Sequence, residues 1–177
     1  IEVALPLMQI SDASAYEQSV KRGKPSQVHK WWARRPSAAA RATLWASIVD
    51  DPSSHPERFP DLESQRAERN RLFRILEGIL DWDIEYEDPR MVAAREELKS
   101  VIGAEGLDVL DPFGGGGTIP LEAQRLGLRA ISGDLNPVAV IIQRAMLQIP
   151  PMVAQLRAIH PASAQRLAWS RGQGLAS

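Results

Sequence analysis

The chain has 177 residues, 44% hydrophobic and 24% charged, with 21 Lys and Arg against 22 Asp and Glu and no cysteine. That length suits one domain with a real core, and the composition excludes a disordered tail, a collagen-like repeat and a disulfide-stapled scaffold. With no Cys and three scattered histidines (His29, His55, His160), a Cys/His zinc site is excluded too. No apolar run approaches the roughly 20 residues that span a bilayer. The opening Ile1-Glu2-Val3-Ala4-Leu5-Pro6 lacks the basic region and cleavage site of a signal peptide. A soluble, cytoplasmic protein with no membrane partner is expected.

The net charge of −1 conceals a strong polarity. Lys21, Arg22, Lys24, Lys30, Arg34, Arg35 and Arg41 fall in one stretch without an acid. From Asp50 to Lys99 there are 14 acidic and eight basic residues, a local net of −6. The basic stretch also holds Trp31 and Trp32, and cations beside flat aromatics suit a phosphate backbone with unstacked bases. Lys30, Trp31, Trp32, Arg34 and Arg35 are therefore candidate nucleic-acid contacts. A solvated basic face with core tryptophans is the other reading.

Pattern divides the chain into three parts: 1–49, 50–106 and 107–177. In the first, Ser14-Ala15-Tyr16-Glu17 fits a capping box and Gly23 a helix stop, which predicts a short helix between them. After a turn at Lys24-Pro25-Ser26, Pro36 suits the first position of a second helix. Ala39, Ala42, Trp45 and Val49 recur there at helical spacing, and Asp50-Asp51-Pro52 ends it. The second part reads as a helical insertion. Leu62, Leu72, Phe73, Leu76, Ile79 and Leu80 form one apolar stripe. Asp88-Pro89 opens a further helix carrying Val92, Leu98, Val101 and Ile102 to a stop at Gly103.

The third part changes period. Leu107–Asp111 reads as a buried-type strand, followed by a glycine-rich turn and a helix from Thr118 to Leu126 closed by Gly127. A second strand, Leu128–Gly133, ends at Asp134. Asn136-Pro137 then starts a helix over Val138–Gln148 that Pro150-Pro151 terminates. Strand, helix, strand, helix with short joints predicts a parallel α/β unit, the opening half of a doubly wound sheet.

Asp111-Pro112-Phe113-Gly114-Gly115-Gly116-Gly117-Thr118 is the sharpest signal. Four glycines between a strand and a helix cost backbone entropy that alanine would spare, so they point to bare backbone against a ligand or to positive φ. The place is the carboxyl end of the first strand, where open α/β sheets bind ligands. A P-loop needs Lys-Ser/Thr after its last glycine, and Thr118-Ile119 stands there. The dinucleotide pattern G-x-G-x-x-G/A ends on Ile119 or Pro120 and fails as well. A nucleoside without phosphates remains, its amino-acid tail along the glycines and its ribose on an acid. Asp134 lies 23 residues after Asp111, close to the spacing of about 20 that sets an acid on a ribose. Asp111 would face an amino group. S-adenosylmethionine meets each of these requirements.

These residues resemble a known family. Asp111–Thr118 resembles the D-P-F-x-G-x-G-T cofactor motif of amino-group DNA methyltransferases, and Asp134-Leu135-Asn136-Pro137 is similar to their ribose-contacting segment. His29-Lys30-Trp31-Trp32-Ala33-Arg34-Arg35-Pro36 and its helix resemble the block ahead of the loop, which in those enzymes packs against the cofactor's methionine end. Together with Leu5-Pro6-Leu7, these blocks look like the large prokaryotic DNA methylases that begin with a domain of unknown function. The resemblance implies a Rossmann-like S-adenosylmethionine methyltransferase fold with DNA as substrate. It places Asp111, Pro112, Phe113, Gly114, Gly115, Gly116, Thr118, Asp134 and Asn136 around the cofactor. Glu122 would steady the loop amides or be a plain surface or helix-pairing carboxylate. Restriction-modification or phage-defence partners are implied by the resemblance alone.

Enzymes of this class hold the target amine with [D/N/S]-P-P-[Y/F/W], whose aromatic stacks on the flipped base. Ile149-Pro150-Pro151-Met152 does not qualify, so no catalytic residue is assigned. Only two parallel strands are expected, and Trp169–Ser177 looks like a run into a third. The expectation is an amino-terminal portion of a longer enzyme, inactive alone. An RNA methyltransferase and a non-catalytic binding module are the alternatives.

Overall fold

The computed structural model describes residues 1, 5–19, 29–81, 83–154 and 156. Lys21, Arg22, Gly23, Lys24, the turn through Ser26, His160 and the run from Trp169 to Ser177 lie outside the described residues.

Helix α1 spans Leu7–Ser19, α2 Ser37–Ile48, α3 Leu62–Gly78 and α4 Pro89–Ile102. A 3₁₀ turn at Pro52–Ser54 joins α2 to α3. Strands β1 (Asp108–Asp111) and β2 (Arg129–Ser132) flank α5 (Thr118–Arg125). Helix α6 (Pro137–Gln143) continues through a π-helical turn at Arg144–Gln148 into α7 (Ile149–Val153). The two strands pair in parallel, Asp108 opposite Arg129 through Asp111 opposite Ser132. The α/β class fits. No helix among the described residues is long and apolar enough to cross a membrane.

Helix α2 is the centre of the molecule and packs on α1, α3, α4 and α5. Its sequence, Ser-Ala-Ala-Ala-Arg-Ala-Thr-Leu-Trp-Ala-Ser-Ile, is small on most faces, which lets neighbours approach from several sides. Ala38, Ala42 and Trp45 are fully buried, and the Trp45 indole N–H donates to Ala94 O of α4 at 3.3 Å. Leu72, Leu76, Ile79, Met91, Leu98 and Leu126 close the core around it.

Several boundaries follow from the sequence. The Asp88 carboxylate caps α4 through Arg90 N–H, with Pro89 first in the helix and Gly103 at its end with φ +73°. Asn136 caps α6 ahead of Pro137. Other expectations are corrected. Helix α1 begins at Leu7, so Ser14 is internal and its hydroxyl donates to Ile10 O at 2.7 Å instead of capping. Pro36 is the extended residue before α2, not its first. Of the stripe expected on α3 only Leu62 is exposed; Leu72 and Leu76 are buried on the helix, Phe73 packs against the core, and Ile79 and Leu80 are buried just past the helix end. On α4 the buried positions are Met91, Ala94, Arg95 and Leu98, with Val92 and Val101 outside.

Strand β1 is not buried on both faces. Val109 and Ala130 pack towards the helices, whereas Leu110 and Ile131, paired in register, are exposed. Pro150-Pro151 does not end the last helix. The π turn closes through Ile149 N–H to Arg144 O, and the prolines then sit in the first turn of α7, where a missing N–H costs nothing.

Carboxylates tie the joints of the helical part. Asp51 accepts from Arg69 Nε at 2.9 Å and Nη2 at 2.7 Å, which holds its carboxyl well below the usual range. The Arg90 guanidinium and backbone N–H hold Asp88 at about 2. Depressed folded values give stabilisation that is full above the unfolded value and is lost as pH falls through the folded one. Melting temperature should thus hold from neutrality to about pH 4 and fall below it. Asp51→Asn should melt lower at neutral pH and show a shallower acid decline; thermal melts across that range check this.

Candidate functional site

The parallel register sets the carboxyl ends of β1 and β2 side by side, and the pairing runs on beyond them. Gly133 N–H donates to Asp111 O at 3.0 Å, and Gly114 N–H to Gly133 O at 2.9 Å. The chain then turns back through Gly115 (φ +47°) and Gly117 (φ +77°), with Gly117 N–H on Gly114 O at 2.7 Å, and enters α5 at Thr118.

Asp134 closes this turn from the second strand. Its Oδ2 accepts Gly115 N–H and its Oδ1 accepts Asn136 N–H, both at 2.8 Å. Those two N–H donors, Asn136's first, hold the Asp134 carboxyl below the usual carboxylate range. Asn136 Oδ1 in turn accepts Val138 N–H at 3.0 Å. Asp111 is buried, its Oδ1 accepting Phe113 N–H at 3.2 Å. Pro112 and Phe113 are exposed at the mouth, as is Leu135 next to Asp134. The hydroxyls of Thr118 and Ser132 are buried without a hydrogen-bond partner among the described residues. A cavity of about 260 Å³ opens beside Asp134, lined among others by Gln124, Ser132, Gly133, Gln143 and Arg144.

Of the two uses expected of the glycines, positive φ holds at Gly115 and Gly117, and packing, a use outside that expectation, is added to it. A Cβ on Gly114 would collide with Ser132 Oγ and stand 2.7 Å from Gln143 Nε2. On Gly115 it would meet the Trp31 indole nitrogen at 2.9 Å, and on Gly116 the Trp31 Cβ at 3.0 Å. Trp31 thus lies against the loop, in a small apolar cluster with Ile142, Met146, Leu147 and Leu121. Gln143, on α6, donates through Nε2 to Gly115 O at 3.2 Å. Sequence reasoning missed Gln143, because a lone glutamine in a helix carries no signal of its own.

The basic block separates into distinct roles. His29, Lys30 and Arg35 are exposed. Trp32 is 79% exposed and stacks on Trp31, ring centroids 4.5 Å apart and planes 18° apart. Arg34 pairs with Glu17 at 2.7 Å, and the other Glu17 oxygen accepts Ala38 N–H, capping α2 where Pro36 has no side chain to do so. Arg41 leaves the basic surface altogether. It is fully buried, with Nε 2.7 Å from Glu122 Oε2 and Nη1 donating to the carbonyls of Ile79 and Asp81. Glu122, 1% exposed, is neither a surface carboxylate nor a partner of the loop amides; the helix-pairing reading holds, with Arg125 at i+3 and 3.2 Å. It joins α5 to α2 through Arg41, while Arg125, also on Glu122, donates to Ile84 O.

Residues 4–75 match a family described as "Protein of unknown function (DUF1156)". That span contains the tryptophan–arginine block and α2 but stops short of the glycine loop. No curated protein and no solved structure matches the chain.

Proposed function

We propose that this chain forms the cofactor-binding part of an S-adenosylmethionine-dependent methyltransferase of Rossmann-like fold, acting on an exocyclic amine of adenine or cytosine in DNA. One observation carries the reading: the Gly115 N–H bond to Asp134 ties the glycine loop that follows β1 to an ionised carboxylate just beyond β2.

The residues fit that cofactor. Asp134 uses one acceptor site on each oxygen, so further lone pairs remain for ribose hydroxyls. Two acids and no lysine at the loop disfavour phosphates and favour a nucleoside without them. Asp111, Gly114 and Gly116 would line the methionine side, with Thr118 Oγ1 a buried hydroxyl still without a partner among the described residues. Phe113 and Leu135 offer apolar surface at the mouth. S-adenosylmethionine, when bound, supplies a methyl group on a sulfonium, a good leaving group. The chain's own part is to bind and orient. Transfer needs the base-holding tetrapeptide, which these 177 residues lack, so the chain by itself should turn over no nucleic acid. The match over 4–75 covers the block that the resemblance sets ahead of the loop.

Isothermal titration tests the reading. S-adenosylmethionine should bind saturably, ATP and NAD should not displace it, and Asp134→Ala should weaken it at least tenfold by removing charge-assisted hydrogen bonds. Absence of heat, or equal binding by the variant, defeats the proposal.

A further inference from the structure

Trp32 is an unusual residue to leave in water. A tryptophan at 79% exposure keeps most of a large apolar ring hydrated, yet its position is defined by the stack on Trp31. Trp31 is itself held against the backbone of Gly115 and Gly116. The result is a two-ring step rising from the glycine loop, its outer ring open. That ring borders a groove of about 350 Å³ lined by Glu17, Gln18, Trp32, Arg34, Arg35 and Pro36. Glu17 neutralises Arg34. Lys30 and Arg35 are exposed and pair with no carboxylate among the described residues.

We infer that Trp32 is a stacking platform for an unpaired nucleobase, with Arg35 and Lys30 taking the flanking phosphates of a single strand. A flat ring offers every base the same π-face, and two unpaired cations on its segment, Arg35 in the same groove and Lys30 two residues before the ring, match the charge of the adjoining backbone. A protein partner's apolar side chain would use the ring but not the two cations, and duplex DNA would use the cations while hiding its bases. This deepens the methyltransferase reading, on which it rests for the choice of polymer, and places a nucleic-acid contact one stacked ring away from the cofactor loop.

The test is fluorescence anisotropy of the 177-residue chain with a labelled oligothymidylate of about 12 nucleotides, without cofactor. Trp32→Ala should weaken binding roughly tenfold to a hundredfold, and Trp32→Phe should restore most of it. Arg35→Ala should lower the slope of log K against log salt by about 0.7. Thermal melts should be unchanged in all three, since these side chains are exposed. Equal binding by Trp32→Ala overturns the inference, as does equal affinity for an abasic strand or tighter binding to duplex. Displacement by polyglutamate at equal charge would point to an acidic protein and overturn it as well. Loss of oligonucleotide binding with cofactor heat retained defeats this inference alone; the converse defeats only the methyltransferase reading.

Discussion

Glu122→Ala should destabilise the chain by about 3–5 kcal/mol, a large share of the 5–15 kcal/mol typical of a domain. Arg41 is fully buried and would lose its one carboxylate partner among the described residues, keeping two carbonyls on Nη1, while its Nη2 already has no partner among them. The loss is dominated by a charge left unpaired away from water, not by the attraction removed. Replacing both partners should therefore cost less than replacing one. Arg41→Met/Glu122→Leu puts apolar volume where the pair stood and should recover most of the stability. Urea denaturation reads both results. With a slope of about 2 kcal/mol per molar, the single variant's midpoint falls by roughly 2 M. A fall under about half of that would mean that water reaches the pair.

The pair bears on the site because of what it joins. Arg41 is on α2, Glu122 is four residues into α5, and the carbonyls of Ile79 and Asp81 lie in the turn that follows α3. The glycine loop runs directly into α5, and the Trp31 segment runs directly into α2. One buried contact therefore sets the distance between the two segments that meet at Gly115 and Gly116. Glu122→Ala should relax that meeting even in molecules that stay folded.

Local chemistry was readable where a residue acts on its own neighbours. Asp88-Pro89 and Asn136-Pro137 mark helix starts because cap and proline act within three residues. The strand–glycine–helix–strand order stands out for the same reason. What the residues hid is what distant segments do to one another. Arg41 reads as one of seven basic residues, and only the fold shows it opposite a carboxylate 81 positions away. Ser14-Glu17 has the composition of a cap, but a helix already under way from Leu7 absorbs it. The prolines at 150 and 151 read as a stop because a π turn, which frees the next N–H positions, has no composition of its own. The loop glycines advertise bare backbone truthfully; that an indole uses part of it is a tertiary fact.

Gly115→Ala should cost about 2–5 kcal/mol, from a left-handed residue of roughly 1–2 kcal/mol and crowding of roughly 1–3 kcal/mol. The two contributions can be separated within this chain. Gly106 also has positive φ, +74°, but a Cβ there meets nothing within 4 Å, so Gly106→Ala reports a positive-φ backbone cost without crowding. At Gly115 the added carbon would stand 2.9 Å from the Trp31 ring nitrogen, and a rigid indole cannot bend away as a flexible chain end does. It must leave as a unit, and the stack on Trp32 goes with it. In a Trp31→Ala background the excess over Gly106→Ala should vanish, leaving a coupling of about 1–3 kcal/mol in the double-mutant cycle. Chemical denaturation of the four proteins measures that coupling. Zero coupling would mean that Trp31 is not on the loop, and the step from loop to Trp32 would lose its foundation. Full coupling would establish that the glycine turn and the tryptophan–arginine block move as one unit.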